Sequence, residues 1–368
     1  MHAAQQHLQI HLGVATPGGR AVRIDNQRPV QAMRLLEGRT ASQALQIIPR
    51  LFSLCGYAQL AAACDALRHV LPPTGSAQRG QLHRRVLLET VREHLLQVHR
   101  DWPQLCETLP NAAHLGDIVR LTGAAAMEPA ALDALIDWVS RNTLGLPPDE
   151  FLAFDSVEPL RQWERSTEAA APRGLCALSS AAASVRAVDL PALESLPAER
   201  LREPLAADTT LHFVSQPTHN GACLETGPTA RHRQHALIRS AADHGLTARL
   251  AARLVDLCTA LIALQRNEEA PPLARVVGIG WVDSARGRLV HHAELDDQEH
   301  IARYRILAPT EWNAHPRGLA AQLLAGIAAG APAAVQRQAR LVIQTIDPCV
   351  QATLHIAEPH RHPEPTHA

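Results

Sequence analysis

Two cysteines lie in sequence contexts that favour metal chemistry. Cys349 follows Asp347 and Pro348, residue types that are favoured at the N-cap and the first position of a helix. This pattern predicts that Cys349 lies in a first helical turn, where the helix dipole stabilises the thiolate form that binds soft metals. Cys55, which precedes Gly56 between two predicted helices, has a similar context. Taken alone, each context also fits a partly buried structural cysteine, which is the commoner case.

The remaining cysteines and histidines suggest no ligand set. Cys64 and Cys258 lie on apolar helical stripes, which predicts that they are core residues. No C-x-x-C pair occurs, which excludes a zinc ribbon, and there is neither a phosphate-binding loop nor a G-x-S-x-G motif. His291 and His292 are neighbours on a predicted strand, so their side chains point to opposite faces.

Periodicity and turn residues predict the elements around the two cysteines. Apolar strands on either side of a T-P-G-G turn predict a small N-terminal β-hairpin over 7–24. A helix over 41–48 and another from Tyr57 flank Cys55, and a longer helix covers 81–100. The C-terminal third is predicted to hold a β-meander, with strands at 275–283, 287–295 and 302–307.

The rest of the chain is predicted to be mainly helical. Residues 141–215 contain repeated Pro, Ala and Ser, which predicts loops and short helices in an irregular region, either inserted or shortened. Residues 221–265 are predicted to be mostly helical with a break near Gly245. The class is therefore α+β and helix-dominated, and a length of 368 residues allows about two domains or one large one. The Pro/His-rich tail, 356–368, is predicted to be disordered.

Composition excludes several functional classes. The 368-residue chain has 35 Lys plus Arg, all of them arginine, against 36 Asp plus Glu, for a net charge of -1. This balance provides no electrostatic field for bulk nucleic-acid binding. No segment has the length and apolarity of a membrane span, and the N-terminus lacks the pattern of an export signal. Seven scattered cysteines predict free thiols in a reducing, cytoplasmic setting.

Five motifs, in order, resemble the large subunits of nickel–iron hydrogenases. The resemblance covers both ends and the C-terminal third of the chain, and it implies a reduced version of that fold in a single domain over 1–355. The motifs are RPVQAMRLLEGRTASQALQIIPRLFSLCGYAQLAAACDAL (28–67), ETGPTAR (225–231), DSARGRLVHH (283–292), YRILAPTEWNAHPRG (304–318) and DPCVQATLH (347–355).

The departures from that family determine the functional expectation. Hydrogenase large subunits hold nickel with four thiolates from two C-x-x-C pairs. Here Phe52 and Ala352 stand where one cysteine of each pair is expected, and Gln59 stands in place of a histidine. Two thiolates cannot build the four-sulfur nickel site, so the resemblance implies no stable nickel and no hydrogenase activity.

This degenerate pattern is similar to the HupK/HoxV type of hydrogenase maturation protein, which EHLLQVHRDWPQL (93–105) also fits. The resemblance implies a scaffold that carries an Fe(CN)2(CO) fragment on Cys55 and Cys349. Its expected partners are hydrogenase maturation factors and the apo hydrogenase large subunit, with no nucleic acid and no membrane. The alternative is a metal-free mimic of the large subunit that binds the same partners as a chaperone.

Two further site residues follow from the resemblance alone. Arg286 matches the arginine that lies over the diatomic ligands in the large subunits, where it could donate a hydrogen bond to cyanide. The alternative for Arg286 is a structural ion pair. His355 matches the histidine that closes the C-terminal motif and is a further candidate metal ligand. On a predicted helix it would face the position of the lost sulfur at Ala352.

Overall fold

The structure, a computed structural model, describes residues 7–52, 54–72 and 75–357. These residues form α-helices and two three-stranded sheets, which confirms the α+β, helix-dominated class. The strands are β1 (His7–Thr16), β2 (Gly19–Asn26), β3 (Ile279–Ser284), β4 (Gly287–Leu295), β5 (Ile301–Leu307) and β6 (Gln351–Ile356).

The helices are numbered in chain order. They are α1 (Ala41–Leu51), α2 (Gly56–Ala66), α3 (Ser76–Leu96), α4 (Trp102–Leu105), α5 (Ala112–Met127), α6 (Leu132–Val139), α7 (Pro148–Leu152), α8 (Val157–Trp163), α9 (Ala170–Ala183), α10 (Arg202–Ala207), α11 (His212–Ser215), α12 (Pro228–Arg231), α13 (Ala236–Ser240), α14 (Thr247–Gln265), α15 (Pro309–Asn313), α16 (Leu319–Ala325) and α17 (Pro332–Ile346). Residues Gln97–Asp101 and Ser140–Leu144 are π-helical turns that continue α3 and α6.

The N-terminal sheet joins the two ends of the chain. β1 and β2 form the predicted antiparallel hairpin, and β6 pairs in parallel with β1, which gives the order β2-β1-β6. Leu8, Ile10 and Leu12 alternate along β1 and are buried, as the two-residue period of a half-buried strand requires. Cys349, two residues before β6, is therefore held in place by the start of the chain.

The C-terminal meander has the order β3-β4-β5 and confirms the three predicted strands. β4 is buried along most of its length, because α2 packs against the sheet on one side and the segment 193–214 on the other. Gly287, which follows the β3–β4 turn, has a φ of +133°, and a Cβ there would lie 2.5 Å from the Thr226 hydroxyl oxygen. This close approach fixes Arg286 at the tip of the hairpin.

Helix α14 forms the centre of the main hydrophobic core, and nearly all of its residues are buried. The predicted break before it is confirmed at Gly245, where φ is +60° and a Cβ would overlap the Ala182 carbonyl oxygen. Cys258 on this helix is fully buried, as predicted, whereas Cys64 is only partly buried. Helix α3 packs along α14 and carries residues that reach the candidate site.

The segment 141–215 consists of short helices, of which Ala170–Ala183 is the longest. It contributes Leu160, Leu175 and Leu178 to the main core. The predicted disordered tail begins at the end of β6, and its residues 358–368 lie outside the described residues.

Candidate metal centre

Cys55 lies at the N-cap of α2, between two helices as the sequence predicts. A negative carboxylate beside it opposes the thiolate form that was expected there. The backbone amides of Tyr57 and Ala58 donate to the carboxylate of Glu89 at 2.9 and 3.1 Å, so a glutamate already occupies the start of the helix. Burial, followed by the negative charges of Cys349 and Glu89, raises the pKa of the Cys55 thiol to about 12. The expected thiolate at this helix start is therefore wrong, because burial and neighbouring negative charge outweigh the helix dipole.

Cys349 does not lie in a helical turn, so that prediction is wrong. Asp347 has a φ of +53° and ends α17, and the chain then bends through Pro348 and Cys349 into β6. Asp-Pro thus terminates the preceding helix and does not start a new one. Thr310 holds the cysteine, since its hydroxyl lies 3.0 Å from Sγ and accepts a bond from the Cys349 amide at 3.3 Å.

The two cysteines, which are far apart in the chain, line the same cavity of about 240 Å³. Arg286 also lies on its wall, so the structure brings three of the four predicted site residues together. The other polar side chains that line this cavity, called the thiol cavity below, belong to Arg28, Gln59, Ser284 and Thr310. Leucine, phenylalanine, alanine and proline side chains complete the wall.

Gln59 links Cys55 to a buried chain of polar groups. Its amide nitrogen lies 3.6 Å from the Cys55 sulfur, and its carbonyl oxygen lies 2.9 Å from His291 Nε2. His291 Nδ1 in turn lies 2.7 Å from the Tyr304 hydroxyl. Burial lowers the pKa of His291 to about 3, so the ring is neutral. With Nε2–H donating to Gln59 and Nδ1 accepting from Tyr304, the glutamine amide is oriented to donate to the sulfur.

Arg286 is held in a buried ion-pair network. Its Nε donates to the Asp347 carbonyl oxygen at 3.1 Å, and both terminal nitrogens donate to Glu93 at 3.2 Å. Nη2 also donates to the Asp347 carboxylate at 3.2 Å, and Arg253 reaches that carboxylate at 3.3 Å. Burial opposes its charge, but Asp347 and Glu93 hold the pKa of the Arg286 guanidinium above its ordinary value. The structural ion pair, the sequence alternative for Arg286, is therefore present.

Arg28 is a second guanidinium on the wall of the thiol cavity, and sequence reasoning missed it. Its Nη1 donates to Glu311 Oε1 at 2.5 Å, and both side chains are at least 89% buried, with exposures of 11% and 1%. Burial raises the pKa of the Glu311 carboxyl, while Arg28 lowers it. Glu311 lies within the Pro-Thr-Glu-Trp-Asn run, but no local signal connects it to a residue near the other end of the chain.

The comparisons with known proteins identify the family. The chain is 31% identical over 369 residues to the hydrogenase expression/formation protein HoxV of Cupriavidus necator, across 92% of this chain and 94% of the relative. It is 32% identical over 354 residues to the hydrogenase expression/formation protein HupK of Bradyrhizobium diazoefficiens, across 88% and 90% of the two chains. The chain belongs to the HoxV/HupK family.

Two further matches concern the fold. Residues 229–355 match the nickel-dependent hydrogenase family. A chain of the Ni-Fe-Se hydrogenase from Desulfovibrio vulgaris Hildenborough has a TM-score of 0.54 with 16% identity, across 91% of this chain and 94% of that one. At this identity the likeness shows that the HoxV/HupK chain has the fold expected from its motifs.

His355 is the one predicted site residue that lies away from the thiol cavity. It is exposed on β6, opposite His11 of β1, and the two rings stack with centroids 4.7 Å apart. The helix expected around it is wrong, because the chain is already extended from Gln351 and pairs with β1. In this strand Ala352 and Leu354 pack against the core, while His355 lies on the other face.

Among the described residues that line the thiol cavity, Cys55 and Cys349 are the soft donors. Phe52 lines the thiol cavity with an apolar ring, and Ala352 packs against the main core, so neither supplies a ligand. Within the described ranges, no group of three or more His, Cys, Asp or Glu side chains could hold a metal ion. The described helices also include none that is long and apolar enough to cross a membrane.

Proposed function

We propose that this protein serves nickel–iron hydrogenase maturation as a scaffold. It carries the Fe(CN)2(CO) fragment on the thiolates of Cys55 and Cys349 and passes it to the apo large subunit, without turnover. The observation that carries the proposal is that these two thiols line one cavity together with two arginines. The relatives' description as hydrogenase expression/formation proteins supports the maturation role.

The thiol cavity fits the chemistry of such a fragment. Three positions of the iron are already filled by cyanide and carbonyl, so two soft thiolates are a sufficient protein contribution. The cavity volume of about 240 Å³ is several times that of a water molecule, about 30 Å³. With both former partner cysteines replaced by Phe52 and Ala352, nickel lacks the four sulfurs that it needs in the large subunit.

The protonation state of Cys55 suits a carrier that must release its cargo. Since metal binding displaces the proton of a thiol, a raised pKa lowers the apparent metal affinity at neutral pH. Burial and the neighbouring Cys349 sulfur raise the pKa of Cys55 to about 12. The lowered apparent affinity for the cargo favours its transfer to the large subunit.

The test is Cys349→Ser in cells that mature a nickel–iron hydrogenase. We expect hydrogenase activity to be lost, because serine is a poor ligand for low-spin iron, while co-purification with maturation factors and the apo large subunit persists. Cys176→Ser, at an exposed position, is the matched control and retains activity. Normal maturation with Cys349→Ser would favour the metal-free mimic.

A further inference from the structure

The thiol cavity is lined by two guanidinium groups that differ in how many of their donors are already bonded. A guanidinium has five N–H groups. In Arg286 four of them are bonded, to Glu93 and to the carboxylate and carbonyl oxygens of Asp347. Because these acceptors fix the plane of the group, Arg286 has little capacity left for a ligand in the cavity.

Arg28, by contrast, has few of its N–H groups bonded to protein acceptors. One N–H group, on Nη1, is bonded to Glu311, and no other side-chain donor of Arg28 has an acceptor among the residues that the structure describes. Its side chain is 11% exposed and lines the thiol cavity, and its unbonded nitrogens are not sealed in the interior, so a ligand in the cavity can reach them. Cys55 and Cys349 act on the charge of Arg28 as they do on that of Arg286, so both guanidinium groups lie within electrostatic reach of the sulfurs and differ in their free donors.

The bound fragment would supply hydrogen-bond acceptors for these N–H donors. A cyanide bound to iron has a basic nitrogen that accepts hydrogen bonds, whereas the oxygen of a bound carbonyl is a weak acceptor. Iron(II), two cyanides and two thiolates together carry two negative charges. Burying such an anion requires cations and hydrogen-bond donors at its surface. The planar fork of an arginine provides both.

We propose that Arg28, and not Arg286, donates the hydrogen bond to a cyanide ligand of the bound fragment. Arg286 then acts as a positioning residue that holds Asp347, and with it the bend that presents Cys349. This inference rests on the proposed scaffold function and names the residue that recognises the cyanide end of the cargo. Glu311 keeps Arg28 oriented and balances its charge before loading.

The experiment is infrared spectroscopy of Arg28→Lys and Arg286→Lys, each purified anaerobically from cells with the complete maturation system, alongside an iron assay. Lysine keeps the positive charge beside the buried carboxylates but cannot reproduce the fork. We expect Arg28→Lys to retain iron and to shift at least one cyanide band, with a smaller change in the carbonyl band. Arg286→Lys is expected to shift the cyanide bands less, at equal iron content.

A second variant distinguishes loss of the Arg28 hydrogen bond from misfolding. The double variant Arg28→Gln, Glu311→Gln removes both charges together, so neither is left unpaired in the interior. We expect it to show the same cyanide shift, with a thermal midpoint near that of the wild type. Bands that move in Arg286→Lys but not in Arg28→Lys would overturn the inference and leave the scaffold function standing. A wild-type protein without iron or bands would overturn both.

Discussion

At the residue scale, the two sulfurs of the thiol cavity differ in their surroundings. Cys349 shares a hydrogen bond with the Thr310 hydroxyl, whereas Cys55 accepts one long hydrogen bond from the Gln59 amide. Burial raises the pKa of Cys55 to about 12, and the glutamine bond lowers it only in part. The neutral thiol is therefore the resting form of Cys55 across the physiological range.

This protonation state predicts a pH dependence of metal binding. The raised pKa means that Cys55 carries a proton at every pH below about 12, and binding must displace it. Apparent affinity for a thiophilic cation should therefore rise by about tenfold per pH unit for each proton released. The measurement is an anaerobic titration with Cd²⁺ between pH 6 and pH 9, followed by thiolate-to-metal charge-transfer absorbance.

The control for this titration is Cys55→Ser, which removes the titrating thiol and should reduce both the affinity and its slope with pH. Cys176→Ser should behave as the wild type, because this residue is exposed on α9. An affinity that does not change over the range would contradict the view that binding displaces the Cys55 proton.

The sequence predicts some of the site residues and not others, for physical reasons. Cys55, Cys349 and Arg286 are marked by motifs, and the structure places them around one cavity. Arg28 and His291 lie within the motifs at 28–67 and 283–292, but no local feature marks them as site residues. Arg28 reaches the cavity, and His291 reaches Gln59, only through the packing of distant segments. Their roles depend on partners in other parts of the chain, which periodicity and spacing do not specify.

At the element scale, the position of Cys55 depends on how closely α2 packs against the meander. β3 crosses α2 at Gly280, where a Cβ would overlap the Ala62 carbonyl oxygen and lie close to the Ala66 amide. On its other side, α2 is held by Glu89 of α3 through the first amides of the helix. The cysteine at the N-cap is therefore fixed from two directions.

Gly280→Ala is predicted to displace α2 and destabilise the fold. Backbone atoms cannot move aside as a flexible side chain can, so we expect a loss of at least about 1–3 kcal/mol in the free energy of unfolding, as for other overpacked interiors. Chemical denaturation measures this change in the free energy of unfolding. Gly123→Ala on α5 is the matched control, since a Cβ there meets nothing within 4 Å.

The control should gain about 0.5–1 kcal/mol, because alanine is favoured over glycine inside a helix. If Gly280→Ala were as stable as the wild type, the close packing of β3 on α2 would not be what fixes the helix that carries Cys55.

The Asp-Pro-Cys segment shows why an element boundary was mispredicted. Asp followed by Pro is typical of a helix start, but proline also follows helix ends, since it cannot continue them. The structure has the second case: Asp347 takes a left-handed conformation at the end of α17, and its carboxylate accepts from Arg253 and Arg286. Those partners come from α14 and the β3–β4 turn, so the local sequence could not distinguish the two cases.

At the scale of the whole molecule, the parallel pairing of β1 with β6 connects the chain ends and positions the second cysteine. The hairpin and the meander follow from two-residue alternation, and the structure confirms both. The β1–β6 pairing could not be predicted in this way, because parallel pairing of the two ends leaves no turn signal in the sequence. The expectation that Cys55 and Cys349 converge rests on the family resemblance.

The most direct test of the account is the infrared spectrum of the wild-type protein, purified anaerobically from cells with the complete maturation system, together with its iron content. The account predicts cyanide and carbonyl stretching bands with about one iron per chain, lost in Cys55→Ala and in Cys349→Ala and retained in Cys176→Ala. A protein that co-purifies with its maturation partners but shows neither iron nor these bands would contradict the scaffold function. The metal-free mimic would then be the remaining explanation.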